Sequence, residues 1–388
     1  MIESKVKPHP NYIAWRISYQ CNFRCKACFF SPEALGSVHS TLNPTKLINF
    51  LEETDKRWRI GVSGGEAFYI NHFIELAKTI TKKHQLEINT NLSVKSKIHE
   101  FAQYIKAESV PKIIATFHPK DSEEEVRKKL FIENYNFLKG KGFNTEAVFV
   151  ITPERVNDYY KYFEEFKRSG ITLTPKPFRG LYNGSVYPFA FTHEERKVFS
   201  MVPRATRRIP LNYFGVNCKA GSTCVRVHNE GTITRCGELP YESYIINKKT
   251  HQDDTLPTAE NTKIGDINNS PSDVLNDKAY PCAAKFCTCF GRHFTVLTPY
   301  QKEFVKGMRS FMENDYVSAK KHFGKVLELK NDHASAMNNL GASEFFLGNK
   351  DKASTLFKEA NKIDMNKRSL FTKNVKNREP QLCPDVLT

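Results

Sequence analysis

The sequence predicts an α/β protein with a partial (β/α)6 barrel of the TIM type, followed by a small cysteine-rich α+β domain and a C-terminal helical repeat. Three observations support this fold class. Up to residue 209, short β-rich runs alternate with helical patterns, as in βα units. From residue 210 glycine, asparagine and cysteine become frequent and helical periodicity fades. From Phe304 onwards a helical pattern repeats with a period of 34 residues.

Six strands are predicted from alternating apolar residues and the turn residues that bound them. Ile13, Trp15 and Ile17 alternate in the first strand. The other five are predicted at residues 58–62, 86–90, 112–117, 145–151 and 171–176.

Helix starts are predicted between these strands. Asn43 followed by Pro44 is typical of an N-cap with proline at the first helical position. Thr192 and Glu195 have the spacing of a capping box at the start of the last helix. Because parallel strands need helical crossovers, six such units predict an open or partly closed barrel.

Cys21, Cys25 and Cys28 form a C-x3-C-x2-C triplet directly after the first predicted strand. Three closely spaced thiolates can bind three irons of a cubane iron–sulfur cluster and leave the fourth iron open. A structural zinc site normally has four protein ligands, and no nearby residue obviously supplies the fourth. A zinc knuckle and three unrelated cysteines are therefore the less favoured alternatives.

Polar and glycine-rich residues end most of the other strands, at the edge where barrels of this kind carry their chemistry. Such residues are common in any loop, so a single instance means little. Their joint placement beside the cysteine triplet predicts one site. Its candidate residues are Ser63, Gly64, Gly65 and Glu66 after the second strand, Asn91 after the third, Thr116 and His118 at the fourth, and Arg179 after the sixth.

The triplet and the Gly64-Gly65-Glu66 sequence about 35 residues later resemble the radical S-adenosylmethionine (SAM) superfamily, over roughly the first half of the chain. The resemblance implies a [4Fe–4S] cluster on the three cysteines, with SAM bound to the fourth iron. It also implies reductive cleavage of SAM to methionine and a 5′-deoxyadenosyl radical, which abstracts a substrate hydrogen.

The resemblance also implies which residues contact SAM. In the Ser63-Gly64-Gly65-Glu66 motif, Gly64 and Gly65 would meet its amino group with help from Glu66. Asn91 would lie beside SAM, Thr116 and His118 would meet the ribose, and Arg179 would pair with the SAM carboxylate or an anionic substrate. A structural role is the alternative for the last four. The sequence departs from the family pattern at Ala27, where an aromatic residue commonly stacks near the adenine, so the adenine contact is left unassigned.

A second group of cysteines resembles the twitch or SPASM extensions of radical SAM enzymes, which bind auxiliary [4Fe–4S] clusters. Its members are Cys218, Cys224, Cys236, Cys282, Cys287 and Cys289. The C-x2-C-x5-C-x3-C run of a complete SPASM domain is absent, and with Cys383 these residues suffice for one cluster but not two. We expect one auxiliary cluster, on Cys218, Cys236 and two of the others. A structural zinc site is the alternative.

The 34-residue period aligns small and aromatic residues, as in the tetratricopeptide repeat. The aligned pairs are Gly307 with Gly341, Phe311 with Phe345, Ala319 with Ala353, and Phe323 with Phe357. An ordinary helical tail is the alternative. The predicted domains are then a radical SAM core at 1–209, a twitch/SPASM-like domain at 210–295, a tetratricopeptide-like region at 296–375 and a flexible tail at 376–388.

The net charge of +16 favours an anionic partner, but the lysines are dispersed, so a basic surface without a specific partner fits equally well. No apolar run is long enough to span a bilayer, and the first residues lack the apolar core of a signal peptide. We expect a cytoplasmic protein with no membrane partner. In that compartment, clustered cysteines indicate metal ligands rather than disulfides.

These observations predict a radical SAM enzyme, of oxidoreductase or maturase type, that modifies a peptide or protein side chain. A reductant such as flavodoxin or ferredoxin would supply electrons, and the helical repeat could bind a protein partner. The first alternative is radical oxidation or rearrangement of a sugar or alcohol; RNA modification and a non-enzymatic iron–sulfur scaffold rank lower. No catalytic acid or base is assigned, although Tyr182, Tyr187 and Glu238 are pocket candidates.

Overall fold

The computed structural model describes residues 11–25, 28, 35, 42–119, 123–178, 180–182, 185–187, 191–200, 217–235, 263–275, 280–281, 298–312 and 314–363. Six parallel strands form the centre of the molecule. They are β1 (Asn11–Ser18), β2 (Trp58–Gly64), β3 (Gln85–Thr90), β4 (Lys112–Phe117), β5 (Thr145–Ile151) and β6 (Leu173–Pro177). All six strands predicted from the sequence are confirmed, and those at 112–117 and 145–151 have the predicted bounds.

Helical crossovers connect these strands. They are α1 (Pro44–Glu52), α2 (Phe73–Thr81), α3 (Lys95–Tyr104), α4 (Glu124–Gly140) and α5 (Val156–Arg168), and α6 (His193–Arg196) follows the sheet. The predicted caps are confirmed: the Asn43 side chain accepts a hydrogen bond from the Thr45 amide, and Thr192 and Glu195 form a capping box. None of the helices in the described residues is long and apolar enough to cross a membrane.

Seven short strands follow β6. They are β7 (Gly180–Tyr182), β8 (Ser185–Tyr187), β9 (Asn217–Cys218), β10 (Cys224–Val227), β11 (Thr232–Thr234), β12 (Lys263–Asp266) and β13 (Tyr280–Pro281). β7 pairs with β8 and β9 pairs with β13, while β10, β11 and β12 extend the main sheet. The resulting order is β12-β11-β10-β1-β2-β3-β4-β5-β6, with β12 and β6 at the edges. The parallel α/β core is as predicted, whereas the closure of this sheet into a barrel stays a prediction.

The two faces of the parallel sheet differ in polarity. One face is apolar and buried, with side chains such as Trp15, Ile60 and Phe149 in the hydrophobic core. Alternate residues point to the other face, which carries half-buried polar side chains such as the ion pair of Arg59 with Glu87 at 3.3 Å. The polar face therefore leaves room for a site at the strand ends.

The segment predicted as a cysteine-rich domain continues this core where the structure describes it. β10 lies parallel to β1, with Cys224 opposite Tyr12. Val225, Ile233 and Ile267 belong to the same hydrophobic core as the parallel strands. The boundary at residues 209/210 and a separate α+β domain remain predictions.

Four helices form the C-terminal region: α7 (Pro299–Met312), α8 (Tyr316–Leu329), α9 (Ala334–Phe346) and α10 (Lys350–Ile363). The sequence period has a structural counterpart in two equivalent contacts. A Cβ added at Gly307 would lie 2.8 Å from Phe323, and one added at Gly341 would lie 2.7 Å from Phe357. The two helix pairs therefore pack in the same way, whereas membership in the tetratricopeptide class stays a prediction.

Candidate active site

A cavity of about 320 Å³ lies at the C-terminal ends of the parallel strands. It is lined by the loop after β1 and by the ends of the other five strands. Nine of its lining residues were predicted from the sequence: Cys21, Cys25, Cys28, Gly64, Gly65, Glu66, Asn91, Thr116 and His118. The fold thus brings together most of the site predicted for the first half of the chain.

The cysteine loop presents three thiols to this cavity, and none of them forms a disulfide. Its backbone turns tightly, because the Cys28 amide donates to the Cys25 carbonyl at 3.1 Å. The Phe23 amide donates to Cys21 Sγ at 3.3 Å. The Arg24 guanidinium donates to the carbonyls of Cys21 at 2.7 Å and Phe23 at 3.0 Å, which ties the loop to itself.

The electrostatics of the thiols favour binding of a cationic metal group. Burial, together with the neighbouring Cys28 and Cys21, raises the pKa of Cys25 to about 12. Burial also raises the pKa of Cys21. Thiolates crowded in a partly buried loop need positive charge nearby, which bound iron supplies.

The three thiols that line the cavity are the ligand type that an iron–sulfur cluster takes. Among the described residues, no three His, Cys, Asp or Glu side chains converge as ligands of one metal ion. Cysteines that hold an iron–sulfur cluster bind different irons, so their sulfurs need not converge on one point. The three thiols therefore fit a [4Fe–4S] cluster with one iron left without a protein ligand.

Gly64 and Gly65 let the end of β2 approach the chain that leads into the cysteine loop. The Gly65 amide donates to the Ser18 carbonyl at 2.8 Å, and the Glu66 amide donates to the Gln20 carbonyl at 2.7 Å. A Cβ at Gly64 would lie 2.1 Å from the Ser18 oxygen, and one at Gly65 would lie 1.7 Å from the Gln20 oxygen. Backbone contact with β1 therefore requires both glycines.

Glu66 is a buried carboxyl group that joins β2 to β3. Its Oε1 accepts hydrogen bonds from the Thr90 hydroxyl at 2.7 Å and the Phe68 amide at 3.1 Å, and its Oε2 accepts one from the Asn91 amide at 2.6 Å. Burial raises the pKa of Glu66 to about 7, although the three donors oppose this rise. Glu66 therefore lines the cavity and also joins the end of β2 to the end of β3.

The Asn91 side chain contacts the cysteine loop. Its Nδ2 donates to Asn22 Oδ1 at 3.1 Å, and its Oδ1 accepts from the Ser93 amide at 2.9 Å. Asn22 in turn donates to the Ser93 hydroxyl at 2.8 Å. Asn22 was not predicted as a site residue, and only its position inside the triplet could have indicated it.

His118 lines the cavity at the end of β4, two residues after Thr116. Burial lowers the pKa of His118 to about 4, with further contributions from Arg155 and Arg127, so the ring is neutral at neutral pH. The ring meets Phe23 edge to face, with centroids 6.4 Å apart. A neutral imidazole can donate or accept a hydrogen bond without adding charge.

The other residues predicted for the site either do not line the cavity or lie outside the described residues. Ser63 is not among the residues that line the cavity, and its hydroxyl is 3.5 Å from the Trp15 carbonyl. Tyr187 packs edge-on against Phe191, with centroids 4.8 Å apart. Arg179, Ala27 and Glu238 lie outside the described residues, as does the side chain of Tyr182.

Eight lining residues were not predicted as site residues: Phe23, Leu35, Asn89, Thr90, Val150, Lys176, Pro177 and Phe178. Asn89 and Lys176 could have been found from strand alternation, because they lie on the same face as Asn91 and Thr116. Lys176 brings a positive charge to a cavity that also holds the Glu66 carboxyl group. No comparable sequence signal marks Leu35 or Val150.

Cys218 and Cys224, the described members of the second cysteine group, are buried, and neither forms a disulfide. Cys218 Sγ accepts a hydrogen bond from the Ala220 amide at 3.3 Å, the same two-residue pattern as at Cys21. Cys224 lies opposite Tyr12 near the start of β1, whereas Cys21 follows the end of that strand. About 20 Å of strand separates the two positions. Cys236, Cys282, Cys287, Cys289 and Cys383 lie outside the described residues.

No family model and no curated protein matches the chain. The chain is similar in structure to anSMEcpe with bound AdoMet, at 15% identity and a TM-score of 0.46, over 70% of this chain and 81% of that one. It is also similar to Streptococcus suis SuiB bound to S-adenosylmethionine, at 13% identity and a TM-score of 0.43, over 59% and 60% of the chains. It is similar as well to BtrN in an open conformation, at 13% identity and a TM-score of 0.33, over 70% of this chain and 81% of that one. These values are too low to carry a functional conclusion, so the function of this chain is inferred from its own residues.

Proposed function

We propose that this protein is a radical SAM enzyme that modifies a peptide or protein side chain. The observation that carries the proposal is the gathering of three cysteine thiols with Glu66, Asn91 and His118 around one cavity at the ends of parallel strands. The spacing of the cysteines provides three ligands and no fourth, which suits a cluster that must bind a small molecule at its open iron.

A [4Fe–4S] cluster held by Cys21, Cys25 and Cys28 would supply the electron that cleaves SAM reductively. The chain's own residues would bind and orient SAM beside it. The backbone at Gly64 and Gly65 would face the amino group, with Glu66 as the nearby carboxyl group. Neutral His118 and Thr116 would contact the ribose by hydrogen bonds, and Arg179 would pair with a carboxylate.

Partly apolar walls support hydrogen abstraction in this cavity. Phe23, Val150 and Phe178 line it beside the polar groups. Apolar walls exclude water and limit side reactions of a reactive intermediate. The auxiliary cluster proposed on Cys218, Cys236 and two further cysteines would accept or relay an electron, which suits an oxidative modification.

The proposed peptide or protein substrate is supported by the helical region, which offers a surface for a polypeptide partner. Radical oxidation or rearrangement of a small molecule, such as a sugar or alcohol, is the second candidate. In both cases a reductant such as flavodoxin or ferredoxin would deliver the electron.

The test is formation of 5′-deoxyadenosine. Protein reconstituted anaerobically with iron and sulfide should release 5′-deoxyadenosine from SAM when a reductant is added. The triple variant Cys21→Ala/Cys25→Ala/Cys28→Ala should release none, because no thiol remains to hold the cluster. The variant Cys383→Ala controls for general loss of a thiol and should retain the activity. Iron-loaded wild-type protein that never forms 5′-deoxyadenosine would falsify the proposal.

A further inference from the structure

The turn at residues 90–93 is held in a strained conformation. Leu92 has φ of 56°, a left-handed backbone that a branched side chain rarely adopts, and its side chain is fully buried. The Leu92 amide donates to the Thr90 hydroxyl at 3.0 Å, and the Leu92 carbonyl accepts from Asn134 Nδ2 at 2.8 Å. Glu66 holds the other side of the turn through Thr90 and Asn91. Such strain persists only where the surroundings fix the backbone, so the turn is a rigid surface.

The cysteine loop docks on this turn through Asn22. The Asn22 amide group uses both of its polar atoms there: Nδ2 donates to Ser93 Oγ at 2.8 Å, and Oδ1 accepts from Asn91 Nδ2 at 3.1 Å. Asn91 is itself oriented by the Ser93 amide at 2.9 Å. The turn after β3 therefore fixes the Asn22 side chain, which directly follows Cys21, in one orientation.

The next residue, Phe23, contacts a side chain of α4. The Arg127 guanidinium lies 3.8 Å from the centre of the Phe23 ring, a close cation–π contact. Arg127 is fixed by Glu123 at 2.8 Å and lies 3.5 Å from the His118 carbonyl. The loop is thus attached to the ends of both β3 and β4.

We propose that Asn22 and Phe23 are positioning residues that hold the cysteine loop in its cluster-binding shape before any cluster is present. They flank Cys21 on its C-terminal side and anchor the loop to two separate elements. Their role is to orient the thiols, and neither side chain is a ligand. Only the part of this inference that concerns retention of the cluster rests on the proposed function.

The first arm of the test uses the metal-free protein. Amide hydrogen exchange would be measured in peptides that cover residues 19–28, for wild type, Asn22→Ala and Phe23→Leu. We expect exchange in this loop to become about tenfold faster in each variant, because a net hydrogen bond or cation–π contact that opposes local opening is lost. The matched control is Asn144→Ala, whose amide donates to the Pro111 carbonyl at 2.8 Å away from the loop. It should leave exchange in the loop unchanged.

Exchange in the strands separates positioning from general destabilisation. Peptides from β3 and β4 should exchange at the wild-type rate in Asn22→Ala and Phe23→Leu, since only the loop is released. Loop exchange that stays at the wild-type rate in both variants would overturn the proposal. Equal acceleration in the loop and in both strands would overturn it as well, because the residues would then support the whole fold.

The second arm measures iron release from reconstituted protein to an anaerobic chelator. We expect release to be several-fold faster in Asn22→Ala and Phe23→Leu than in wild type and Asn144→Ala. A faster-exchanging loop with an unchanged release rate would overturn the role in cluster retention. If wild-type protein binds no cluster at all, the proposed function fails, whereas the exchange measurements still decide whether these residues position the loop.

Discussion

At the scale of single residues, Glu66 has the most demanding environment in the site. Its carboxyl group is buried and receives three hydrogen bonds, two from backbone amides and one from Thr90. An amide in its place would direct an NH2 group at a backbone N–H in either orientation. The position therefore accepts a carboxyl group and rejects its closest isostere.

The raised pKa of Glu66 makes a contribution to stability that depends on pH. Its pKa is about 7 in the folded protein and 4.5 as a reference for the unfolded chain. A carboxyl group with a raised folded pKa stabilises the fold fully below the unfolded pKa and loses that contribution as pH rises through the folded pKa. We expect the free energy of unfolding of wild type, relative to Glu66→Gln, to fall by up to about 3 kcal/mol between pH 4.5 and pH 7.

Denaturant unfolding of the metal-free proteins across this pH range is the measurement. A constant difference between wild type and Glu66→Gln over the whole range would contradict the shift. The difference should level off above pH 7, because the group is then ionised in both the folded and unfolded states.

About half of the residues that line the cavity were predicted from the sequence, but the contacts between them could not be predicted. The cysteine spacing and the Gly64-Gly65-Glu66 sequence have chemical meaning without a structure. Arg127 carries no such signal, because its contact with Phe23 depends on how α4 packs beside the loop. Leu92 carries no such signal either, because its left-handed backbone is one that glycine, and not leucine, usually adopts.

At the scale of elements, the six parallel strands were predicted well because alternating apolar residues give each of them a clear period. Alternation in β4 and β5 gave their bounds directly. In the helices, the 34-residue period follows from two equivalent contacts, Gly307 on Phe323 and Gly341 on Phe357. β6 begins later than its predicted position at 171–176, at Leu173, since Ile171 packs in the core without joining the ladder.

The glycine contacts predict a stability difference between similar substitutions. Gly341→Ala should lower the free energy of unfolding by about 1–3 kcal/mol, because the new methyl group would lie 2.7 Å from Phe357. Gly324→Ala is the matched control on α8, where an added Cβ would meet nothing within 4 Å. It should be neutral or stabilising by up to about 1 kcal/mol, because alanine favours helix. Thermal or denaturant unfolding would measure both, and equal effects of the two substitutions would contradict the close packing of Gly341 against Phe357.

At the scale of the whole molecule, Cys224 and the cysteine triplet lie at opposite ends of the sheet's strands. The triplet follows the end of β1, whereas Cys224 lies opposite its start. Sequence could not predict this arrangement, because it depends on β10 pairing with β1 rather than with β6, the preceding strand of the main sheet. No local pattern in Cys224–Val227 specifies its neighbour.

This separation predicts that the two cysteine groups act independently in cluster assembly. The double variant Cys218→Ala/Cys224→Ala should lower iron from about eight to about four per chain, because one of two [4Fe–4S] clusters is lost. Formation of 5′-deoxyadenosine from SAM should persist. Iron of about four in both proteins, with zinc in wild type only, would instead assign the second group to a structural zinc site. Loss of both clusters in the variant would contradict independence.

The placement of β10 also has a consequence for synthesis of the chain. β1 is made first, and β2 covers one of its edges early. Among the described residues, the strand that covers the other edge is β10, roughly 200 residues later, and its synthesis follows roughly 10 to 40 s after that of β1 at typical translation rates. During that interval the nascent chain carries an unpaired strand edge, which is a template for association with other chains. The ribosome-bound protein therefore passes through a long period in which chaperone protection matters, and any fragment that ends before Cys224 keeps that edge permanently open.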